Sequence, residues 1–518
     1  RFDLPTEANS NLLSCRLVAL ADGPDYRCQM QIICEAGPRI AGLSDGARFV
    51  SHIPHFDDEP VVVGDTFVDG YGCSIYGSVL QEGSRFRMWC QTWPRDYDGT
   101  DSLLVGCLES EDGLHWTKPS YGLIERSGST ANHLTNLPFH APSVFVDPHA
   151  VADQRYRGFG YLHPERATGF SNIQVPGMGQ TPGYYTAYSA DGINWTVEPD
   201  PLWDSADVIA AAWDPWFSDA GAARIALKRN GLSAGLFRRR FLTSEWCQGA
   251  ATPEVSAFVA DESDDQAARA HGCLSADYYG VSWLPTPGPT VAMVWMFRHI
   301  PPMGRSADRL WNYGSLGQVD LELRYQPERG GRWLSLPGKP DWVNAAQAPE
   351  WARGCLYGAS HAIHVGDETW LYVTGTTELH GYTGSSVDRQ SYRDDQATTG
   401  GFARIGRLTW PRHRILGVRA RLQEQVDLLS GPVTADEPAG LFINAHTGTG
   451  GRLRAALLDA KYQPIPGYGV DDCDAISGDH LNRVVSWNGS PRLPETSDRL
   501  IARMELTDAD LWAFTFGI

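Results

Sequence analysis

Apolar and polar residues alternate along this chain over runs of about four to eight positions, closed by Gly, Pro, Asp or Asn, and helical periodicity is scarce. A period of two sends one side of each run into a core and the other towards solvent or a second layer, which is the pattern of short strands. It predicts strands over 85–90, 102–110, 143–146, 184–189, 223–228, 290–297 and 369–374. The expected fold class is all-β.

Two signals recur where these runs end. Ser110-Glu111-Asp112-Gly113-Leu114-His115-Trp116 and Ser189-Ala190-Asp191-Gly192-Ile193-Asn194-Trp195 share the form S-x-D-G-x-x-W. The Asp-Gly pair supplies a turn, because glycine tolerates positive φ, and the Trp begins the next strand and packs between sheets. Weaker relatives end at Trp246 and Trp333. The second signal is an apolar strand closed by Asp-Pro, at Asp147-Pro148 and at Asp214-Pro215. The uneven spacing of the Trp positions excludes a strict solenoid and suits stacked blades with variable loops. One blade per Trp hairpin, with a closing blade around 357–375, amounts to a five-bladed β-propeller.

From about Phe402 the Trp hairpins stop. Runs at 440–444, 453–458, 484–487 and 511–516 read as strands of a separate C-terminal β-sandwich. The expected division is N-terminal strands in 1–55, the propeller in 56–401 and the sandwich in 402–518. The N-terminal strands, near 15–20 and 28–34, could pair with either domain.

Composition agrees with a turn-rich, aromatic-rich globular protein: 54 Gly, 33 Pro, 18 Trp and 20 Tyr in 518 residues. No window approaches the roughly 18 unbroken apolar residues of a membrane-spanning helix, so no membrane partner is expected. A net charge of −19 repels phosphate backbones and excludes nucleic acid as a partner. It suits a neutral substrate or a cation, and carboxylates beside many Trp rings fit carbohydrate. Cys15, Cys28, Cys34, Cys73, Cys90, Cys107, Cys247, Cys273, Cys355 and Cys473 are dispersed without a C-x-x-C pair or metal-type spacing. Buried thiols in a reducing compartment are the favoured expectation. With no signal peptide visible at Arg1, the cytoplasm is slightly favoured, and secretion after loss of a leader stays open.

The S-x-D-G-x-x-W hairpins combine with the strand Phe86-Arg87-Met88-Trp89-Cys90 and a tail reading Leu457-Leu458-Asp459-Ala460, Pro464-Ile465-Pro466-Gly467-Tyr468 and Leu511-Trp512-Ala513-Phe514. Over residues 60–518 this resembles the glycoside hydrolase clan of invertases, fructanases and levansucrases, with the related arabinanases and β-xylosidases. More closely, it resembles divergent bacterial proteins with a family 32-type N-terminal domain. The resemblance implies three acidic residues from different blades meeting at the propeller funnel: a nucleophile or base, a transition-state stabiliser and an acid. Carried onto this sequence, these are Asp69, Asp207 and Asp277 in that order. Glycosidic cleavage itself requires at least two such groups, one to protonate the leaving oxygen and one to attack or activate water. The chain departs from the clan in reading Phe67-Val68-Asp69-Gly70-Tyr71-Gly72 for the invertase W-M-N-D-P-N-G, and in placing Trp213 where the R-D-P triplet has its Arg.

His140, Arg238, His361 and His380 are the expected substrate contacts. A central His of the arabinanase and xylosidase relatives can meet a bound cation, so a structural cation is allowed for. No cofactor and no metal ligand set are expected. The expected activity is a glycosidase of carbohydrate metabolism cleaving a furanoside or small oligosaccharide. The alternatives are a non-catalytic carbohydrate-binding propeller, and a lyase or phosphorylase using a His or Tyr near His140 or Tyr278.

Overall fold

The computed structural model describes residues 31–34, 40–97, 104–163, 175–204, 207–217, 221–233, 236–300, 316–381, 401–434, 440–495 and 499–517. They form five hydrogen-bonded sheets. The first contains β1 (Gly72–Glu82), β2 (Arg85–Trp93) and β3 (Leu104–Ser110); the second contains β4 (His140–Val146), β5 (Tyr156–Leu162) and β6 (Gly183–Ser189). The third is built on β7 (Ile209–Asp214), β8 (Ala222–Ser233) and β9 (Leu236–Cys247). In the fourth, the antiparallel strands β10 (Ser275–Leu284), β11 (Thr290–His299) and β12 (Gly317–Gln326) meet a second meander of β13 (Cys355–Gly358), β14 (Glu368–Thr376) and β15 (Ala403–Pro411). The two meanders join through one parallel pairing, Val319 with Cys355. His55–Phe56, from before the first sheet, adds to β15.

The leading strand of each meander is bonded to the next. Ser78 Oγ in β1 accepts from Val144 N of β4 at 2.8 Å, and Ser143 Oγ donates to Ile209 O of β7 at 3.3 Å. Trp283 Nε1 of β10 donates to Ala210 O at 3.3 Å, and Trp283 N donates to Ser360 O, just beyond β13, at 2.8 Å. Ser360 returns to β1, its N–H on Gly77 O at 2.8 Å and its hydroxyl 2.5 Å from that of Ser78. Tyr76 and Trp295 stack in the middle of this arrangement, with centroids 5.6 Å apart, and Trp295 is buried. Trp295 finds its room at Gly280, where a β-carbon would come within 1.9 Å of the indole.

The turn signals have a common chemistry. In both S-x-D-G-x-x-W hairpins the Ser hydroxyl accepts from the Gly N–H, the Asp Oδ1 accepts from the backbone N–H groups two and three residues on, and the Trp Nε1 donates to the Gly carbonyl. Gly192 has φ +76°, and a β-carbon there would meet the Trp89 ring at 2.6 Å. Both Asp-Pro signals are Asp turns, Asp147 and Asp214 each accepting from the N–H two residues on. Trp246 differs: it lies inside β9, paired with Ala223 and Ala251, and ends no such hairpin.

The tail sheet is eight-stranded around β16 (Leu416–Ser430), β17 (Gly440–Leu458) and β18 (Arg499–Gly517). The runs at 440–444 and 453–458 are one strand, β17, interrupted by a register shift between Thr447 and Arg452. Its core includes Val418, Leu441, Leu453, Leu506 and Phe514. Gln31–Ile32, Ile40–Leu43 and Arg48–Ser51 pair with β18 or β16, so the described N-terminal strands go with the tail. The expected strand at 15–20 lies outside the described residues. Since β15 pairs with β14, the change of sheet falls at 412–415.

One helix was not expected. The acidic run from Asp261 is the cap and first turn of α1 (Glu262–Ala270), in which Asp261 accepts from Ser263 N and Asp264 N while Asp264 accepts from Asp261 N. This capping box, followed by Gln-Ala-Ala-Arg-Ala, was legible as a helix start. Among the described residues no helix is long and apolar enough to cross a membrane.

Candidate functional site

His140 opens β4, Asp207 stands two residues before β7, and Asp277 is the third residue of β10, so all three mark the starts of neighbouring leading strands. The third sheet reaches past these starts. Ile209 pairs with Leu227, and beyond that register β8 and β9 continue alone as a hairpin carrying Lys228 to Arg240. That overhang brings cations to the two carboxylates.

Asp207 is the most accessible acid of the group, with 34% of its side chain exposed. Its Oδ2 lies 2.5 Å from Lys228 Nζ and its Oδ1 3.4 Å from His140 Nε2. Burial alone would raise its pKa; the Lys228 ammonium and His140 outweigh this and hold the carboxyl well below the usual range. The backbone is strained on both sides of the His140–Asp207 contact, since Asp207 has φ +95° and Ala141 φ +51°. Such conformations cost roughly 1–3 kcal/mol each in a non-glycine residue and gather where a side chain must be aimed. His140 Nδ1 is buried with no hydrogen-bond partner among the described residues.

Asp277 is enclosed, at 1% exposure. Its Oδ1 meets His299 Nε2 at 2.9 Å, and its Oδ2 accepts from Arg239 N at 3.0 Å and Arg239 Nη1 at 3.3 Å. Burial raises its pKa, and the bonds to His299 and Arg239 reverse the shift, so Asp277 is also held as an anion. Aromatic rings fill the space between: Tyr279 lies 5.6 Å from Tyr357, 5.7 Å from Phe297 and 5.0 Å from His380, whose Nε2 is 3.0 Å from the Tyr279 hydroxyl.

The remaining expected residues sit elsewhere or face elsewhere. Asp69 is wholly buried; it accepts from Thr66 N at 2.8 Å and Thr66 Oγ1 at 2.7 Å, and lies 2.5 Å from Lys118 and 3.6 Å from His133. None of these partners belongs to the Asp207 cluster. Arg238 is turned into a two-pronged ion pair with Asp265, at 2.6 and 3.0 Å, and also donates to Ala276 O. The neighbouring Arg239 faces the cluster instead, because a strand alternates its sides. His361 follows β13, at the end away from Asp207, with Nδ1 2.9 Å from Ser360 Oγ and a pKa pushed by burial to about 4. His380 does join the cluster through Tyr279.

Sequence reasoning missed Lys228, Arg239, Tyr279 and His299. The signal was partial: Lys228 closes a predicted strand and Arg239 is the middle of the Arg238-Arg239-Arg240 run, but only the long hairpin turns them towards Asp277 and Asp207. The carboxyl groups whose pKa burial does raise, Asp320 and Glu322, lie in a buried ionic network with Arg298 and Arg324. In the cluster, therefore, the carboxylates can attack, activate water or stabilise positive charge, and the donatable protons belong to the imidazoles and the Tyr279 hydroxyl. Among the described residues no three His, Cys, Asp or Glu side chains are grouped to hold a metal ion.

No family model and no curated protein sequence matches the chain. Solved structures similar to it include an exo-β-1,3-galactanase from Phanerochaete chrysosporium, with 10% identity and a TM-score of 0.38 over 88% of this chain and 99% of that one. A GH62 hydrolase in complex with xylotriose matches at 9% identity and a TM-score of 0.39, over 70% of this chain and 98% of that one. A β-1,2-mannobiose phosphorylase from Listeria innocua matches at 9% identity and a TM-score of 0.38, over 70% and 97%.

Proposed function

We infer that this chain is a glycosidase built on a five-bladed propeller, with a β-sandwich tail, that cleaves a furanoside or small oligosaccharide at the end where β4, β7 and β10 begin. The architecture is supported by the run of hydrogen bonds that leads from β1 through β4, β7 and β10 to Ser360 and back to β1. The sandwich reading rests on the long tail strands and their register shifts, which let one bonded sheet fold over its own core.

The observation that carries the function is Asp207: a partly exposed carboxylate on a strained backbone, aimed by His140 and Lys228 and kept ionised. In this reading Asp207 attacks the anomeric carbon or activates a water for that attack, the glycosidic C–O bond breaks as its oxygen takes a proton from a cluster imidazole or the Tyr279 hydroxyl, and Asp277 stabilises the positive charge that develops on the sugar. A screen of fructosides, arabinofuranosides and xylosides, with Asp207→Asn beside the native chain, tests it. Turnover should fall by about 10²–10⁴-fold in the variant. Equal turnover by the two proteins would remove Asp207 from the chemistry.

A second reading, a carbohydrate-binding propeller without turnover, is favoured by one observation: Asp277 is enclosed and already bonded to His299 and Arg239. Saturable sugar binding with no cleavage of any glycoside would select it.

A further inference from the structure

Three alternate residues of β2 reach across to the second sheet. Arg87 Nη1 donates to Asp191 O at 2.6 Å and Trp89 Nε1 to Gly192 O at 2.7 Å, so both grip the hairpin that follows β6. Gln91, next on that face, holds a different element: its Oε1 accepts from Ala141 N, beside His140, at 3.4 Å. A backbone N–H can only donate, which fixes the amide with its oxygen towards β4.

Ala141 needs holding. It has φ +51°, strained in itself for alanine, and Pro142 follows it, which pushes a residue towards extended backbone. It also lies in a bulge: His140 pairs with Tyr161 and Ser143 with Phe159, so Ala141 and Pro142 together oppose Gly160 and the ladder does not fix their conformation. Relaxation of Ala141 to negative φ would turn His140 against the rest of β4 and break its 3.4 Å contact with Asp207 Oδ1.

Gln91 is poorly suited to its place on any other ground. It is 0% exposed, between Ser74 of β1 and Val105 of β3, and its Nε2 has no hydrogen-bond partner among the described residues. A buried amide donor left in that state costs stability, and methionine would fill the same length without that cost. A side chain that costs stability and bonds to strained backbone next to a site histidine points to a demand of function.

We propose that Gln91 is a positioning residue: its Oε1 clamps Ala141 in the left-handed conformation and thereby aims His140 at Asp207. For its effect on turnover this rests on the reading of Asp207 as the reacting carboxylate.

The imidazole Cε1–H resonance of His140, in the full chain carrying isotope-labelled histidine and assigned by its loss in His140→Gln, reports the contact without any turnover. Asp207→Asn should displace this resonance in the native background, and in Gln91→Met that displacement should fall to less than about half. Gln91→Glu keeps an acceptor for Ala141 N and should recover part of the loss. Ala141→Gly combined with Gln91→Met should also recover part, since glycine takes positive φ without strain. An equal displacement in Gln91→Met, none in the native background, or a loss that neither Gln91→Glu nor Ala141→Gly reduces would overturn the proposal. Gln91→Asn, too short to reach Ala141, replaces Gln91→Met if the latter does not fold. On a cleaved glycoside, Gln91→Met should lower kcat roughly tenfold or more at unchanged KM. Cleavage at native kcat in Gln91→Met would remove the clamp and keep the glycosidase; the expected His140 behaviour in a chain that cleaves nothing would keep the clamp and remove the glycosidase.

Discussion

Asp191 shows how much one short side chain can hold in place. Its Oδ1 accepts from Ile193 N and Asn194 N at 2.8 Å each, and its Oδ2 from Asn194 Nδ2 at 2.8 Å. The turn so fixed delivers Trp195 to a buried position and lets Gly192 O accept from the indole N–H groups of both Trp195 and Trp89, tying the second sheet to the first. Asp191→Ala strips two backbone donors of their acceptor and leaves the bend to the Ser189 hydroxyl and the Trp195 indole. Loss of about 1–2 kcal/mol is expected, read as a lower urea midpoint at unchanged slope. The same residue type at Asp207 serves a different end: it lies on strained backbone and its oxygens meet side chains of other elements, so nothing local accounts for its geometry.

Between elements, the sheets share an apolar core, and single polar contacts cross from one to the next. Ser78 is the clearest, because its hydroxyl accepts from Val144 N in the second sheet and faces Ser360 Oγ beyond β13, all of it buried. Ser78→Ala leaves the Val144 N–H without that acceptor in a place water does not reach, which should cost about 1–3 kcal/mol in a urea titration. A loss no larger than that of an exposed Ser→Ala control would mean that the junction is held by packing alone. These bonds also mark what was legible in the sequence. The strands were, since alternation and Asp-Gly or Asp-Pro turns are local, and 85–90, 184–189, 290–297 and 369–374 fall inside β2, β6, β11 and β14. The long strand β17 was read as two because the register shift after Thr447 breaks its alternation. The site was half legible: Asp207, His140, Asp277 and His380 were marked by local sequence and the fold brings them together, but the choice of Arg239 over Arg238 depends on which side of a hairpin faces a neighbouring sheet. No local pattern encodes that.

Across the whole molecule, acid should act first through buried histidines. His133 is 1% exposed, wedged where a β-carbon on Gly106 would come 2.6 Å from its ring, and its Nε2 has no hydrogen-bond partner among the described residues. Burial lowers its pKa to about 4, with Asp69 opposing the shift only in part. The sign follows from comparing the two states. Above about pH 6.5 the imidazole is neutral whether the chain is folded or not, and it contributes no pH dependence. Between about 6.5 and 4 the unfolded chain takes up a proton that the folded one refuses, so stability falls as pH falls, by an amount on the order of 3 kcal/mol for this residue, and levels off below. Asp69, Asp207 and Asp277 do not obscure that window, because their folded-state values are depressed and their contributions are lost only at lower pH. His361, also held at about 4, adds to the same fall. Unfolding free energies of the native chain and of His133→Gln, measured from pH 7 to pH 4, should therefore converge or cross as the pH drops, since the variant lacks one of the buried bases. A difference between the two proteins that stays constant over that range would show that His133 takes up its proton in the folded state as readily as in the unfolded one, and that the pocket formed by Asp69, Lys118 and Gly106 admits charge.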